Sequence, residues 1–157
     1  MVIASDLMTK DILSVSPEMT LGEVADIMMK MRITGLPVVD EAGKIRGMVS
    51  EEDLVRRMKP REASRGGGWL SFMASGSARS GGLLDEKECK VEEAMTKDIL
   101  MASEDETLVH LISLLARKRI KRLPIVRDGK LVGMVSRVDI LRFLAETGHC
   151  KMCTMNV

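Results

Sequence analysis

The chain has 157 residues, of which 45% are hydrophobic and 30% are charged, and its formal net charge is +1. Its length suits one domain or two small, closely associated ones. Because the charges nearly balance, no global field draws the chain to nucleic acid or to a membrane surface. One Trp and two Phe are its aromatic residues, too few for the stacking platform of a single-stranded nucleic-acid binder. These numbers argue against a nucleic-acid-binding protein.

The sequence also bears on targeting and on redox chemistry. No apolar segment typical of a signal peptide follows the first ten residues, and no apolar run approaches the roughly 20 residues that span a bilayer. The three cysteines, Cys89, Cys150 and Cys153, provide no disulfide framework. We therefore predict a cytoplasmic protein with no membrane association.

The chain contains an internal repeat, in which residues 7–58 align with residues 94–144 once a gap is placed opposite Ala42. Two copies are too few for a solenoid, and a copy of about 50 residues buries too little surface to fold alone. We therefore expect the copies to pack about a pseudo-twofold axis that creates two related clefts. The predicted organisation is a first motif at 5–59, a linker at 60–90, a second motif at 91–147 and a tail at 148–157.

Each copy predicts the element order β-α-β-β-α, which is a mixed α/β (α+β) fold. In chain order, a short strand is predicted over residues 11–16, with its counterpart over 98–103. A helix then begins at Thr20, which forms a T-x-x-E capping box with Glu23, or at Thr107 in the second copy. Apolar residues at i, i+3, i+4 and i+7 give the first of these helices one hydrophobic face.

Two further strands and a helix complete each copy. The strands are predicted at "LPVV" and "IRGMVS", and at "LPIV" and "LVGMVS". Between the latter two, Asp128-Gly129 is a strong signal for a two-residue hairpin turn. The last helix of each copy begins at Ser50 or Ser136, and the second is predicted to end near Gly148.

The Gly/Ser-rich linker holds the segment "WLSFMAS" at residues 69–75, with two of the three aromatic residues. A short helix or loop patch docked on the core is one interpretation. A lid over a cleft, or a contact for a partner, is the other.

The junction Gly-Met-Val-Ser-x-x-Asp recurs at Ser50 and Asp53 and at Ser136 and Asp139. The hydroxyl and the carboxylate lie one helical turn apart and share a face. They could serve only as a helix cap. They could also bind a ligand, because a carboxylate accepts two hydrogen bonds from a ribose diol and a helix N-terminus favours phosphate. Two copies of the junction favour a ligand.

A basic run from Arg117 to Arg122 precedes the second strand of the second copy, whereas Thr34 and Gly35 replace Lys121 and Arg122 in the first. Such a run is often only a solvated face. The asymmetry between the copies, however, predicts that the clefts differ in their affinity for phosphate.

No nucleophile, base and acid share a predicted surface, and no phosphate-binding glycine loop occurs, so we predict no enzyme. The tail "HCKMC" carries His149, Cys150 and Cys153. Cys-x-x-Cys has metal-ligand spacing, but a lone pair is a weak indication of a zinc site. A frayed tail is the alternative.

The two motifs together resemble a tandem CBS-domain protein, or Bateman module, of the stand-alone kind. The resemblance rests on "MTKDIL" and on the blocks "RITGLPVVDEAGKIRGMVSEEDLVRR" and "RIKRLPIVRDGKLVGMVSRVDILRFL". It implies one module of two β-α-β-β-α CBS motifs that binds AMP, ADP, ATP, S-adenosylmethionine or a related adenosyl compound in the clefts between them. It further implies a regulatory sensor without a required cofactor, a homodimer formed through the CBS helices and an unidentified effector protein.

The resemblance also implies ligand contacts, residue by residue. Asp53 and Asp139 match the family's ribose-binding aspartate, and Ser50 and Ser136 match the hydroxyl three residues earlier. The basic pair that holds phosphate in the regulatory subunit of AMP-activated kinase matches Lys121 and Arg122. The remaining expected contacts are Thr20, Ala25, Pro37, Thr107 and Pro124. The second copy departs from the pattern at Ile112, which replaces the small residue at Ala25 and would crowd one pocket.

Three functions follow from these observations. The first is a non-catalytic sensor of adenosine-containing ligands that signals to a partner. The second is a structural or protein-interaction module with empty clefts, whose partner surface would be residues 69–73. The third is a metal or redox protein that uses Cys150 and Cys153.

Overall fold

A computed structural model describes residues 1–57, 89–117 and 120–147. The described part of the chain divides into two compact units. The first-copy unit contains residues 15–38, 46–57 and 89–97, and the second-copy unit contains residues 1–14, 39–45, 98–117 and 120–147. Helices and strands occur together, so the predicted mixed α/β (α+β) fold is confirmed. The elements in chain order are α1 (Ala4–Leu7), α2 (Leu21–Met31), β1 (Gly35–Val39), β2 (Ile45–Ser50), α3 (Glu51–Arg57), α4 (Val91–Ala94), β3 (Ala102–Ser103), α5 (Leu108–Arg117), β4 (Arg122–Arg127), β5 (Lys130–Ser136) and α6 (Arg137–Thr147).

In the first-copy unit, helices α2 and α3 share a hydrophobic core with the hydrogen-bonded pair of strands β1 and β2. Helix α2 begins at the predicted residue, because the Thr20 hydroxyl accepts the backbone N–H of Glu23 at 3.3 Å. It ends where Arg32 adopts a left-handed conformation with φ 53°. Its apolar face lies in a core whose buried members are Val15, Leu21, Val24, Met28, Leu36, Val38, Val49, Leu54 and Val91.

The second-copy unit has a sheet in the order β3-β4-β5. β3 runs parallel to β4, and β4 pairs antiparallel with β5 from Arg122 opposite Ser136 to Arg127 opposite Lys130. Asp128 and Gly129 form the turn with φ of 52° and 75°, which confirms the predicted two-residue hairpin. The core consists of the buried residues Ala4, Ala102, Leu111, Leu115, Leu123, Ile125, Val135 and Ile140.

The Met-Thr-Lys-Asp segment of each copy packs on the Gly-Met-Val-Ser segment of the other. Thr9 exchanges backbone hydrogen bonds with Met134, and Thr96 does the same with Met48. The short helices α1 and α4, which sequence reasoning missed, precede these segments. Each unit is therefore completed by a stretch of chain from outside its own copy.

The predicted first strands are shorter than expected. In the first copy Val15 alone bridges to Val38, and in the second copy the strand is confined to Ala102–Ser103. The apolar residues before them, Leu13 and Leu100, are 42% and 36% exposed, so they do not reach a core that would hold them in a strand. The segment at residues 69–75 and the predicted helix end at Gly148 lie outside the described residues.

Candidate functional site

The first junction forms where β2 runs directly into α3. The Ser50 hydroxyl donates to Oδ2 of Asp53 at 2.7 Å, and the Ser50 backbone N–H donates to the same oxygen at 2.8 Å. In return, the Ser50 hydroxyl accepts the backbone N–H of Asp53 at 3.4 Å. No donor from the described residues lies on the other oxygen, Oδ1 of Asp53. Because no fully buried side-chain oxygen in the described part of the chain lacks a partner, this Oδ1 keeps contact with solvent.

The second junction, between β5 and α6, repeats this geometry and adds a cation. The hydroxyl and the backbone N–H of Ser136 donate to Oδ2 of Asp139 at 2.6 and 2.7 Å. Here Nη1 of Arg142 donates to Oδ1 of Asp139 at 3.1 Å. Both carboxylate oxygens are therefore bonded by groups of this chain.

Both carboxylates are buried. Asp53 and Asp139 are each 8% exposed, and they are the two buried charged residues in the part of the chain that the structure describes. A buried charge is unfavourable unless it is hydrogen-bonded, and the Ser hydroxyl with two backbone N–H groups supplies a reciprocal cap. The capping interpretation is thus observed at both junctions. The ligand interpretation stays a prediction, and at Asp53 the cap leaves Oδ1 without a donor from the described residues.

Basic residues lie at the second junction. Arg122 is the antiparallel register partner of Ser136, and side chains of such partners stand side by side on one face of a sheet. Lys121 is exposed and immediately precedes β4. In the first copy Thr34 stands at the position of Lys121, and its carbonyl accepts the backbone N–H of Glu51, the residue after Ser50, at 3.0 Å. The position at which the two copies differ in charge therefore lies beside the Ser-Asp junction.

The two threonine positions act as helix caps. At Thr20 the backbone N–H donates to the Glu23 carboxylate at 2.8 Å and the hydroxyl donates to it at 3.0 Å, and these bonds lower the pKa of Glu23 below its ordinary value of 4.5. The Thr107 hydroxyl accepts the backbone N–H of His110 at 3.4 Å. The side chain of His110 pairs with Glu106 at 2.8 Å, and this bond lowers the pKa of Glu106.

The other predicted contacts lie nearer the cores. Ala25 packs against the first core and Ile112 against the second, each partly buried. Pro37 and Pro124 are fully buried within β1 and β4, so their side chains serve packing.

His149, Cys150 and Cys153 lie outside the described residues, and among the described residues no group of three or more His, Cys, Asp or Glu could hold a metal. No helix in the described ranges is long and apolar enough to cross a bilayer. Sequence reasoning also missed Arg142, although its position three residues after Asp139 is one at which helical side chains meet.

Comparison with known proteins places these junctions in a family context. The model of the CBS domain family matches residues 4–60 and 91–146. An inosine-5′-monophosphate dehydrogenase of Methanocaldococcus jannaschii is 31% identical over 140 residues, which are 88% of this chain and 23% of the enzyme. The chloroplastic CBS domain-containing protein CBSX1 of Arabidopsis thaliana is 33% identical over 153 residues, with 87% of this chain and 61% of that protein covered. The chain thus spans less than two thirds of the length of these relatives.

Solved structures of other proteins are similar to this chain in fold. CBSX2 in complex with AMP has a TM-score of 0.73 at 24% identity, with 95% of this chain and 100% of that chain covered, which shows likeness of fold. The CBS domain pair of protein MJ0100, in complex with 5′-methylthioadenosine and S-adenosyl-L-methionine, has a TM-score of 0.66 at 25% identity, with 91% and 99% covered.

Proposed function

Because this chain belongs to the CBS-domain family, we propose that it is a non-catalytic regulatory module that binds adenosine-containing ligands at its Ser-Asp junctions and signals their presence to a partner protein. The observation that carries the proposal is the repeated pair of buried carboxylates, each held by a Ser hydroxyl at the end of a strand. A vicinal diol donates two hydrogen bonds, and a carboxylate that its Ser already holds in place is oriented to accept them.

The ligand class has two supports. The MJ0100 domain pair, 25% identical to this chain, is solved with two adenosyl compounds. Lys121 and Arg122 add positive charge beside the second junction, where a phosphate of AMP, ADP or ATP would be attracted. We therefore propose nucleotides for the second junction and an uncharged adenosyl group for the first.

Partners and location belong to the same proposal. Exposed apolar side chains lie on helices of both copies, and they are Met29, Met31, Val55, Val109, Val138 and Leu141. Apolar side chains presented on helices favour association, so we propose a homodimer formed through these helices, together with a separate effector. We propose the cytoplasm as its location and no membrane or nucleic-acid partner. The dehydrogenase activity of the longer relative is not proposed for this chain.

Calorimetry of the purified chain with AMP and with S-adenosylmethionine tests the function. We expect heat of binding from at least one of them, and a roughly tenfold or greater weakening in the double variant Asp53→Asn with Asp139→Asn, since an amide cannot accept the diol as a carboxylate does. A control variant, Asp128→Asn, changes one carboxylate in the hairpin turn and should bind as the wild type does.

No heat from either ligand, with a melting temperature unchanged by both, would contradict the proposal and favour a module with empty clefts. A double variant that bound as tightly as the wild type would also contradict the proposal, because the ligand would then bind without the carboxylates of the Ser-Asp junctions.

A further inference from the structure

We infer that Arg142 restricts access to Asp139, so that an uncharged ligand bearing a vicinal diol binds preferentially at Asp53. The inference rests on the proposed function and identifies a specificity-determining contact within it. It comes from a difference between two junctions whose Ser and Asp are otherwise arranged alike.

At the second junction both oxygens of the carboxylate are already hydrogen-bonded. Ser136 occupies Oδ2 through its hydroxyl and its backbone N–H, and Arg142 occupies Oδ1 at 3.1 Å. The Asp139 side chain is 9% exposed, whereas that of Arg142 is 59% exposed. A diol that donates to Asp139 must therefore displace the guanidinium or share the oxygen with it.

At the first junction the corresponding arginine points elsewhere. Arg56 follows Asp53 by three residues, as Arg142 follows Asp139, but its Nη2 donates to Glu52 at 2.9 Å. Oδ1 of Asp53 has no donor from the described residues and keeps contact with solvent. A diol can be accepted there without displacing a group of the described residues.

One residue accounts for the difference. Glu52 lies four residues before Arg56, the spacing and order at which a helical Glu-Arg pair is most favourable. Its counterpart in α6 is Val138, which offers no acceptor and is 61% exposed. Without a carboxylate at this position, Arg142 turns to the carboxylate three residues before it. The absence of a carboxylate at position 138 thus leaves Arg142 to bond Asp139.

The guanidinium is largely exposed, and such ion pairs are weak and easily displaced. We therefore expect a moderate effect, roughly two- to fivefold in dissociation constant, rather than a closed site. A phosphate-bearing ligand would meet Arg142 as an added cation, so the restriction applies to uncharged ligands.

A nuclear magnetic resonance titration with adenosine tests the inference, read at the backbone N–H groups of Ser50 and Ser136. Each N–H donates to one of the two carboxylates, so each reports one junction. In the wild type we expect tighter binding at Ser50. Val138→Glu supplies the missing acceptor and should tighten binding at Ser136 two- to fivefold, whereas Glu52→Val should release Arg56 toward Asp53 and weaken binding at Ser50 by a similar factor.

Leu141→Glu is the matched control, because it adds the same charge to the same helix from a position that is 64% exposed and adjacent to Arg142, where side chains do not face each other. Binding at Ser136 that is no tighter in Val138→Glu than in this control would overturn the inference while leaving the proposed function intact. Wild-type binding that is tighter at Ser136 than at Ser50 would do the same. If adenosine and S-adenosylmethionine shift neither N–H, the proposed function fails and the inference fails with it.

Discussion

Gly133 lies directly beneath the side chain of Met8, so that a Cβ added to Gly133 would stand 2.8 Å from Cγ of Met8. In the other unit Gly47 faces the backbone, and its added Cβ would stand 2.5 Å from the carbonyl oxygen of Thr96. The glycine of each Gly-Met-Val-Ser segment is therefore required by the chain itself, because the Met-Thr-Lys-Asp segment of the other copy packs onto it. This contact explains why the two segments recur together.

The two glycines should respond differently to alanine. Gly47→Ala meets a carbonyl that is fixed by two backbone hydrogen bonds with Met48, of 3.0 and 2.8 Å, and should lower the free energy of unfolding by about 1–3 kcal/mol. Gly133→Ala meets the flexible side chain of Met8, which can move aside, and should cost less. Urea denaturation measures both values.

Gly22→Ala is the control for these variants. Its added Cβ would meet nothing nearer than Oγ1 of Thr20 at 4.0 Å, and alanine is favoured over glycine in a helix by up to about 1 kcal/mol. It should therefore stabilise the protein. Equal losses at Gly47 and Gly133 would show that the Thr96 backbone is not the obstacle.

The sequence predicted those features that local patterns determine. The capping box at Thr20, the Asp128-Gly129 turn and the Ser-Asp junctions each depend on residues a few positions apart, and all are observed. The pairing of Thr9 with Met134 could not be predicted in the same way, because it joins residues distant in the chain through backbone groups. Arg142 was missed for another reason, since its partner depends on whether position 138 offers a competing carboxylate.

Removal of a capping hydroxyl should destabilise each Ser-Asp junction. Ser50→Ala and Ser136→Ala each delete the group that donates to Asp Oδ2 and accepts the Asp backbone N–H. We expect each to lower the free energy of unfolding by about 1 kcal/mol. Ser103→Ala, whose exposed hydroxyl accepts the backbone N–H of Asp105 in a loop at 3.4 Å, should have a smaller effect in the same denaturation assay. Losses at the junctions no larger than this control would mean that the caps contribute little.

The Thr20-Glu23 box should make stability depend on pH in the acid range. Bonds from the backbone N–H and the hydroxyl of Thr20 lower the pKa of Glu23, so the folded state binds this proton less tightly than the unfolded chain does. The contribution of the Glu23 carboxylate to the free energy of unfolding is therefore complete above the unfolded pKa of about 4.5. It is lost as the pH falls through the lower pKa of the folded state. The difference in stability between the wild type and Glu23→Gln should shrink as the pH is lowered through this range. Denaturation curves from pH 6 down to roughly pH 3, which extends well below the unfolded pKa, would check it, and a constant difference would contradict it.

Lys121 should strengthen the binding of a ligand that bears a phosphate and leave the binding of the nucleoside unchanged. It lies beside β4, one residue before the register partner of Ser136, and the first copy carries Thr34 at the same position. If a nucleotide binds at the second junction, Lys121→Thr should weaken AMP binding roughly fivefold, the equivalent of about 1 kcal/mol for an exposed charge pair, and leave adenosine binding unchanged. The loss should diminish at high ionic strength, because exposed charges are screened.

Lys130→Thr is the matched control for this charge change, since Lys130 stands at the opposite end of β5 from Ser136. A seven-residue strand extends over roughly 20 Å, which exceeds the distance over which exposed charges act at physiological salt. Calorimetry with AMP should therefore distinguish the two variants. If both weaken AMP binding equally, the net charge of the chain attracts the phosphate. If neither does, Lys121 belongs to a solvated face, and the asymmetry between the two copies comes from Arg122 or Arg142.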